Sequence, residues 1–356
     1  MSESLFFIIF LLFVAFMLFL DLGVFHKKDH VISFKEAGIW TLIWISIAVL
    51  FGVFLLFKAE WVHGIQNITD LQNLNIKHCH ELNFDGMSYI EALKAYRHAI
   101  AMEYFSGYLI EKSLSIDNIF VMIMIFGAFG IKKEYYHRIL FYGILGAIVF
   151  RFIFIFVASA LIQKFNWMLL IFGLIILYTA IDMFLKRNKK ENVDAQNHPL
   201  VKFFTKLKLS TEKMHGHDFF IRSEERQGRW LMTPIFISLL VIEFSDIIFA
   251  FDSIPAIFSI TQDPAIVFYS NIFAILGLRS LFFMVESIMD KFRYLKIGLS
   301  ILLAFISAKM IIHYIWHLSI PTIVSLIVII GILLISILAS ILIPNKNKEE
   351  IEKSHE

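Results

Sequence analysis

Two stretches of the chain hold carboxylates in positions where a carboxylate is costly. One reads Glu111-Lys112-Ser113-Leu114-Ser115-Ile116-Asp117-Asn118. The other reads Glu243-Phe244-Ser245-Asp246-Ile247-Ile248-Phe249-Ala250-Phe251-Asp252-Ser253-Ile254-Pro255-Ala256. Both lie inside long apolar runs. An acid near the centre of a bilayer costs about 2.5 to 3.5 kcal/mol on insertion scales, so one retained there faces a partner or a water-filled path. Carboxylate oxygens and backbone carbonyls freed by a local break suit a hard divalent cation. A simpler alternative stays open. The acids can instead pair with Lys112, Arg151, Arg279 and Lys309, the four basic residues within apolar runs, and act as interhelical glue.

Spacing constrains how these side chains can meet. Glu243 and Asp246 share a helix face at i, i+3, whereas Asp252 follows Asp246 by six residues and points about 240° around an ideal helix. One straight helix cannot aim all three at a common point. Pro255 has no amide hydrogen and disfavours helical geometry at the residue before it, so a break near Asp252 is expected. The two acidic runs, near 99–129 and 231–260, extend to about 30 residues, or about 45 Å of helix. Both are therefore candidates for discontinuous spans.

The elements that must carry these groups follow from hydropathy. Of 356 residues, 58% are hydrophobic and 17% charged, with a mean hydropathy of +0.74, which excludes an ordinary soluble enzyme. Apolar runs near 4–25, 37–57, 99–129, 139–162, 167–185, 231–260, 266–288, 295–316 and 320–342 give nine transmembrane helices in an all-α polytopic protein. The first run lacks a basic leader and an Ala-x-Ala site, so it reads as a retained span. The predicted organisation is two helices in 1–57, an extracytoplasmic loop at 58–98, a three-helix unit at 99–185, a cytoplasmic loop at 186–230, a second three-helix unit at 231–316, and a last helix with a cytoplasmic tail at 317–356.

Orientation follows from Lys and Arg in alternate connections. One side receives 23 of the 32 basic residues and the other only five, Lys58, Lys77, Lys94, Arg97 and Lys164. The N-terminus is thereby expected outside and the C-terminus in the cytoplasm. A net charge of +2 without a single basic surface argues against nucleic-acid binding. The single cysteine, Cys79, excludes an internal disulfide framework. Two loop sequences, His78-Cys79-His80-Glu81 and Met214-His215-Gly216-His217-Asp218, contain metal-ligand residue types but read first as solvated loops with incidental histidines.

The acidic runs also resemble each other. Glu111 leads to Asp117-Asn118 as Asp246 leads to Asp252-Ser253; Gly146 precedes Arg151 as Gly277 precedes Arg279; the third members start near Gly173 and Gly298. Three spans per unit would insert the second opposite to the first, the inverted-repeat arrangement of secondary transporters, with the site at the interface of the repeats.

With these residues in view, the chain resembles the TerC family of membrane proteins, including its Alx-like members, within the LysE-like transporter superfamily. The resemblance spans about residues 1 to 345, and its discriminating part is Glu111 to Asp117-Asn118 with Glu243-x-x-Asp246-x-x-Phe249-x-x-Asp252-Ser253-Ile254-Pro255-Ala256. It implies a nine-span inner-membrane exporter of Mn²⁺. The metal-pathway residues it implies are Glu111, Asp117, Asn118, Glu243, Asp246 and Asp252. Oxygen ligands accept Mn²⁺, Mg²⁺ and Ca²⁺ alike, so manganese rests on the resemblance. No tightly bound cofactor is expected, the cation being cargo, and protons are a plausible coupling ion. The absence of a Gly-x-x-x-x-Gly-Lys-Ser/Thr loop argues against ATP, and the absence of Gly-x-Gly-Asp argues against an intramembrane aspartyl protease. The reading is therefore a non-enzymatic protein whose partners are the bilayer and a divalent ion. Its competitor is a membrane-assembly or scaffold factor whose charges are structural ion pairs. The oligomeric state is open.

Overall fold

A computed structural model describes residues 2–25, 32–78, 82–165, 167–186, 199–207, 209–211, 216, 218–223, 229–288, 294–316, 318 and 320–342. Cys79, His80, Glu81, Met214, His215 and His217 lie outside the described residues, as does the side chain of Asp252. The chain is an all-α polytopic membrane protein. In order, it forms α1 (Glu3–Phe25), α2 (Phe34–Lys58), α3 (Glu60–His63), α4 (Ile68–His78), α5 (Tyr89–Ala128), α6 (Lys133–Lys164) and α7 (Met168–Lys186). There follow α8 (Pro199–Lys206), the strands β1 (Phe220–Ser223) and β2 (Arg229–Met232), α9 (Pro234–Phe258), α10 (Pro264–Leu276), α11 (Leu278–Ile288), α12 (Leu295–Trp316) and α13 (Thr322–Leu342).

Among the described residues, seven helices are long and apolar enough to cross a membrane, and an eighth span forms if α10 and α11, bent by 47°, count as one. The expectation of nine also counts α5. At 40 residues it is long enough, but Glu103, Glu111, Lys112 and Asp117 make it too charged to qualify by composition. The connections are more structured than loops. Residues 58–98 contain α3 and α4, and residues 186–230 contain α8 and β1, which pairs antiparallel with β2 from Phe220↔Met232 to Ser223↔Arg229.

Local signals set the helix starts. Ser33 Oγ accepts from the Glu36 amide at 3.3 Å, and Ser88 and Glu91 form a reciprocal capping box. Thr233 and Asp263 cap α9 and α10, each followed by proline at the first helical position, where no amide hydrogen is needed. The breaks expected in the acidic spans are not there. Helix α5 is continuous, and α9 runs through Pro255, which stands in its last turn and forfeits only one ladder bond. The bend falls instead at Gly277, between α10 and α11.

The core divides into two apolar clusters at opposite ends of the helices. One holds Phe10, Ala48, Tyr104, Leu114, Ile155, Ala250, Tyr269 and Leu276 among others. The other gathers Ala37, Ile119, Phe126, Tyr136, Leu140, Ile242, Leu278 and Phe282. Aromatic rings knit the first, with Phe10 and Tyr269 centroids 4.4 Å apart and Phe51 and Phe273 4.7 Å apart. Phe126 stacks on Tyr136 at 4.2 Å in the second. Helix α5 enters the first cluster and leaves through the second, whereas α6 and α9 run from the second to the first. Helices α5 and α9 therefore run in opposite senses, and so do α6 and the α10–α11 pair. In packing, α7 lies along α12, α5 against α9 and α10, and α6 against α9 and α10. Small residues permit the closest approaches: Gly107 on α5 faces Ser270 on α10, and the Gly173 carbonyl on α7 accepts from Ser307 Oγ on α12 at 2.8 Å.

At the end where α1 begins, His63 Nε2 meets Asp263 Oδ2 at 2.6 Å and His63 Nδ1 lies 3.6 Å from Glu3 Oε1. Burial works against a charged imidazole here, but pairing with Asp263 and the nearby Glu3 carboxylate outweigh it, and His63 is raised from 6.5 to about 9. A raised histidine stabilises the fold fully below its unfolded value and ceases to do so as pH rises through its folded one. In detergent, the Tm advantage of the protein over His63→Gln should thus be constant below about pH 6.5 and vanish above about pH 9.

Candidate functional site: a buried arginine between carboxylates

Between the two apolar clusters lies a layer of charge. On α6 the gap between Leu140 and Ile155 contains Arg151, and on α9 the gap between Ile242 and Ala250 contains Glu243 and Asp246. Arg151 is 1% exposed and Glu111 fully buried. The guanidinium reaches three helices at once. Its Nε and Nη2 donate to the two oxygens of Asp246 at 3.2 and 2.9 Å, a two-pronged pairing that suits its planar fork. Its Nη1 donates to Glu111 Oε1 and, at 3.1 Å, to Asn271 Oδ1 on α10. Asn271 Nδ2 closes the ring by donating to Glu111 Oε2 at 3.1 Å. Two carboxylates share one guanidinium, so with both acids ionised the cluster carries one net negative charge.

Of the residues singled out in the sequence, Glu111, Asp246 and Arg151 are thus brought together. Glu243, one turn before Asp246 on the same face of α9, lies against Gly146 of α6, where a Cβ would collide with its carboxylate. Its buried Oε2 has no hydrogen-bond partner among the described residues. Asn118 is buried on α5, and Asp117 is half-buried one residue earlier. Six residues separate Asp117 from Glu111, which turns it to another face of the same helix. Asp252 lies on α9, with its side chain outside the described residues.

The other basic residues take separate places. Lys112 Nζ donates to the Ala274 carbonyl at 3.2 Å, at the carbonyl-rich end of α10 beside the Gly277 bend, where a cation is favoured. Arg279 pairs with Asp21 of α1, Nη2 to Oδ2 at 2.6 Å and to the Asp21 carbonyl at 2.7 Å, while its Nη1 lies 3.1 Å from His137 Nδ1 on α6. Lys309 lines a cavity of about 90 Å³ with His78, Glu103 and His313. Glu103 stands two turns from Glu111 on α5, about 12 Å along the axis, toward the end where α1 begins. Sequence reasoning missed Asn271, Asp21 and His137. Their only signal was a lone polar residue inside, or at the edge of, an apolar run.

A polytopic bundle with helices running in opposite senses and a buried acid–arginine cluster between them defines a class of integral membrane protein built to hold charge inside the bilayer. Residues 96–348 match the model of the family described as the integral membrane protein TerC family, and the chain belongs to it. An uncharacterized membrane protein of Myxococcus xanthus, STKORF319, is 44% identical over 94% of this chain and 91% of its own length. A membrane protein of Rickettsia felis is 41% identical over 95% of this chain and 98% of its own. The Alx protein of Escherichia coli K12, named as a membrane-bound redox modulator, is 37% identical over 91% of this chain and 90% of its own. No solved structure matches.

Two substitutions test the geometry. Arg151→Met strips Glu111 and Asp246 of their cation and should destabilise the protein by about 3 to 5 kcal/mol, read as a fall in unfolding temperature in detergent. Gly146→Ala should displace only the flexible end of the Glu243 side chain and cost about 1 kcal/mol, the low end of overpacking. The same change at Gly38, where nothing lies within 4 Å of an added Cβ, should be close to neutral.

Proposed function

We propose that this protein is a secondary transporter that carries a divalent cation out of the cell through the carboxylate layer between two inverted three-helix units, and that the cation is Mn²⁺. The observation that carries the reading is Arg151 held between Glu111 and Asp246 with Asn271 closing the ring. Three oxygen-bearing side chains from three helices converge on one cation, and that cation is tethered. A divalent ion arriving among Glu111, Asp246 and Asn271 would find a hard-oxygen donor set and would compete with the guanidinium for it. Exchange between a bound metal and an internal ion pair keeps a countercharge beside the two carboxylates in either state, which a site that must both capture and release its cargo requires.

The opposite senses of α5 and α9, and of α6 and α10–α11, support the inverted-repeat reading. So does the packing, whose main contacts survive an exchange of α5 with α9, α6 with α10 and α7 with α12. Acidic groups continue on both sides of the layer, with Glu243 one turn toward the end rich in basic connections and Glu103 two turns toward the other. The former end is assigned to the cytoplasm by its lysines and arginines, in an inner membrane, with the N-terminus outside. Alternating access would come from rocking one unit on the other, with protons as the coupling ion. The choice of Mn²⁺ over Mg²⁺ or Ca²⁺ comes from the family resemblance.

Cells lacking the protein, grown under Mn²⁺ load, should accumulate manganese. Complementation with the unaltered chain should restore a low level, and Asp246→Asn or Glu111→Gln, which keep shape and remove charge, should not. Equal manganese in all strains would sink the reading. A scaffold would instead tolerate both substitutions, or fail first in assembly.

A further inference from the structure

We infer that a second divalent-cation site, specific for transition metals, lies at the end of the bundle where α1 begins, formed by His63, His78 and Asp263. The inference does not depend on the export reading. The three residues come from α3, α4 and the connection between α9 and α10, yet one ligand atom from each lies within 4.8 Å of the others. The side chains of His63 and Asp263 are 4% and 0% exposed, and His78 is buried. The two imidazoles lie nearly parallel, 29° apart with centroids 5.5 Å from each other.

The surroundings are those of a supported metal site. Metal-bound histidines donate their second ring nitrogen to an outer carboxylate, which fixes tautomer and orientation. His63 meets Asp263 through Nε2 while its Nδ1 faces Glu3, 3.6 Å away. Asp263 uses Oδ1 to cap α10, accepting from the Ala265 amide at 2.9 Å, and directs Oδ2 to the cluster. Tetrahedral coordination at about 2.0 to 2.1 Å places ligand atoms about 3.3 Å apart. The metal would then widen the 2.6 Å His63–Asp263 contact by less than an ångström, a shift that side-chain rotation can supply. The cavity that His78 lines with Glu103, Thr261, Lys309 and His313, about 90 Å³, has room for water to complete the shell.

Two imidazoles and a carboxylate favour Zn²⁺ and Co²⁺ over Mg²⁺ and Ca²⁺. The donor set thus differs in kind from the all-oxygen group around Arg151.

Purified full-length protein in detergent should be titrated with Co²⁺ and followed by its visible d–d absorption. One equivalent should bind, be displaced by Zn²⁺ and be indifferent to Mg²⁺. His78→Gln should abolish the bands, Glu3→Gln should weaken binding by about 10- to 100-fold, and Asp246→Asn should leave the bands intact, which separates this site from the proposed export site. X-ray absorption of the Co²⁺-loaded unaltered protein, which needs no variant to fold, should show two imidazoles. Absence of binding, unchanged bands in His78→Gln, loss of bands in Asp246→Asn, or an all-oxygen shell would each overturn the assignment.

Discussion

A guanidinium cannot lose its charge inside a protein, and Arg151 is 1% exposed in the middle of a bundle that must sit in hydrocarbon. Everything around it answers that constraint. Glu111 and Asp246 supply countercharge, Asn271 uses both ends of its amide, and the four residues belong to α5, α6, α9 and α10. Packing of those four helices is then no longer a matter of apolar fit alone, because none can shift by a turn without breaking a contact to the same cation. The apolar core is interrupted at this level on α6 and α9. The Phe126 cluster on one side and the Tyr269 cluster on the other are consequently joined by charge as well as by side-chain interdigitation.

The Arg279 group at the other end solves the same problem with different partners. It draws on Asp21 of the first helix and His137 of the sixth, and the helix that carries it begins at the Gly277 bend. Arg151 has acids from α5 and α9, whereas Arg279 on α11 reaches Asp21 of α1. That pair holds one end of α1, while Phe6 and Phe10 near its other end are buried against Tyr269, in a helix whose surface is otherwise largely exposed.

Much of this architecture was legible in the sequence because a bilayer imposes a length on apolar runs. The runs near 37–57, 167–185, 295–316 and 320–342 became helices within a few residues of those limits. Glu111, Asp246 and Arg151 stood out because charge in such a run is rare. Their pairing did not, since it joins positions 40 and 95 apart, and Asn271 lies 120 residues from Arg151. His63 and Asp263, 200 residues apart, were equally out of reach of any local pattern. The helix breaks were misplaced for a physical reason. Pro255 falls in a last turn, where a missing amide hydrogen matters little, whereas Gly277 stands where Trp44 and Lys112 crowd the backbone.

Helix α5 has 40 residues, about 60 Å of unbroken rod, roughly twice the thickness of the hydrocarbon. Its first turns bury Ala92 and Tyr96 in the first apolar cluster and are clamped to α3 by Arg97 on Glu60, at 2.6 and 2.8 Å. Farther along the same rod come Glu103 and then Glu111. Arg97 and Glu111 stand 14 residues apart on that one helix, about 21 Å along its axis. The anchor on α3 and the acid in the Arg151 ring are thus two fittings on a single beam.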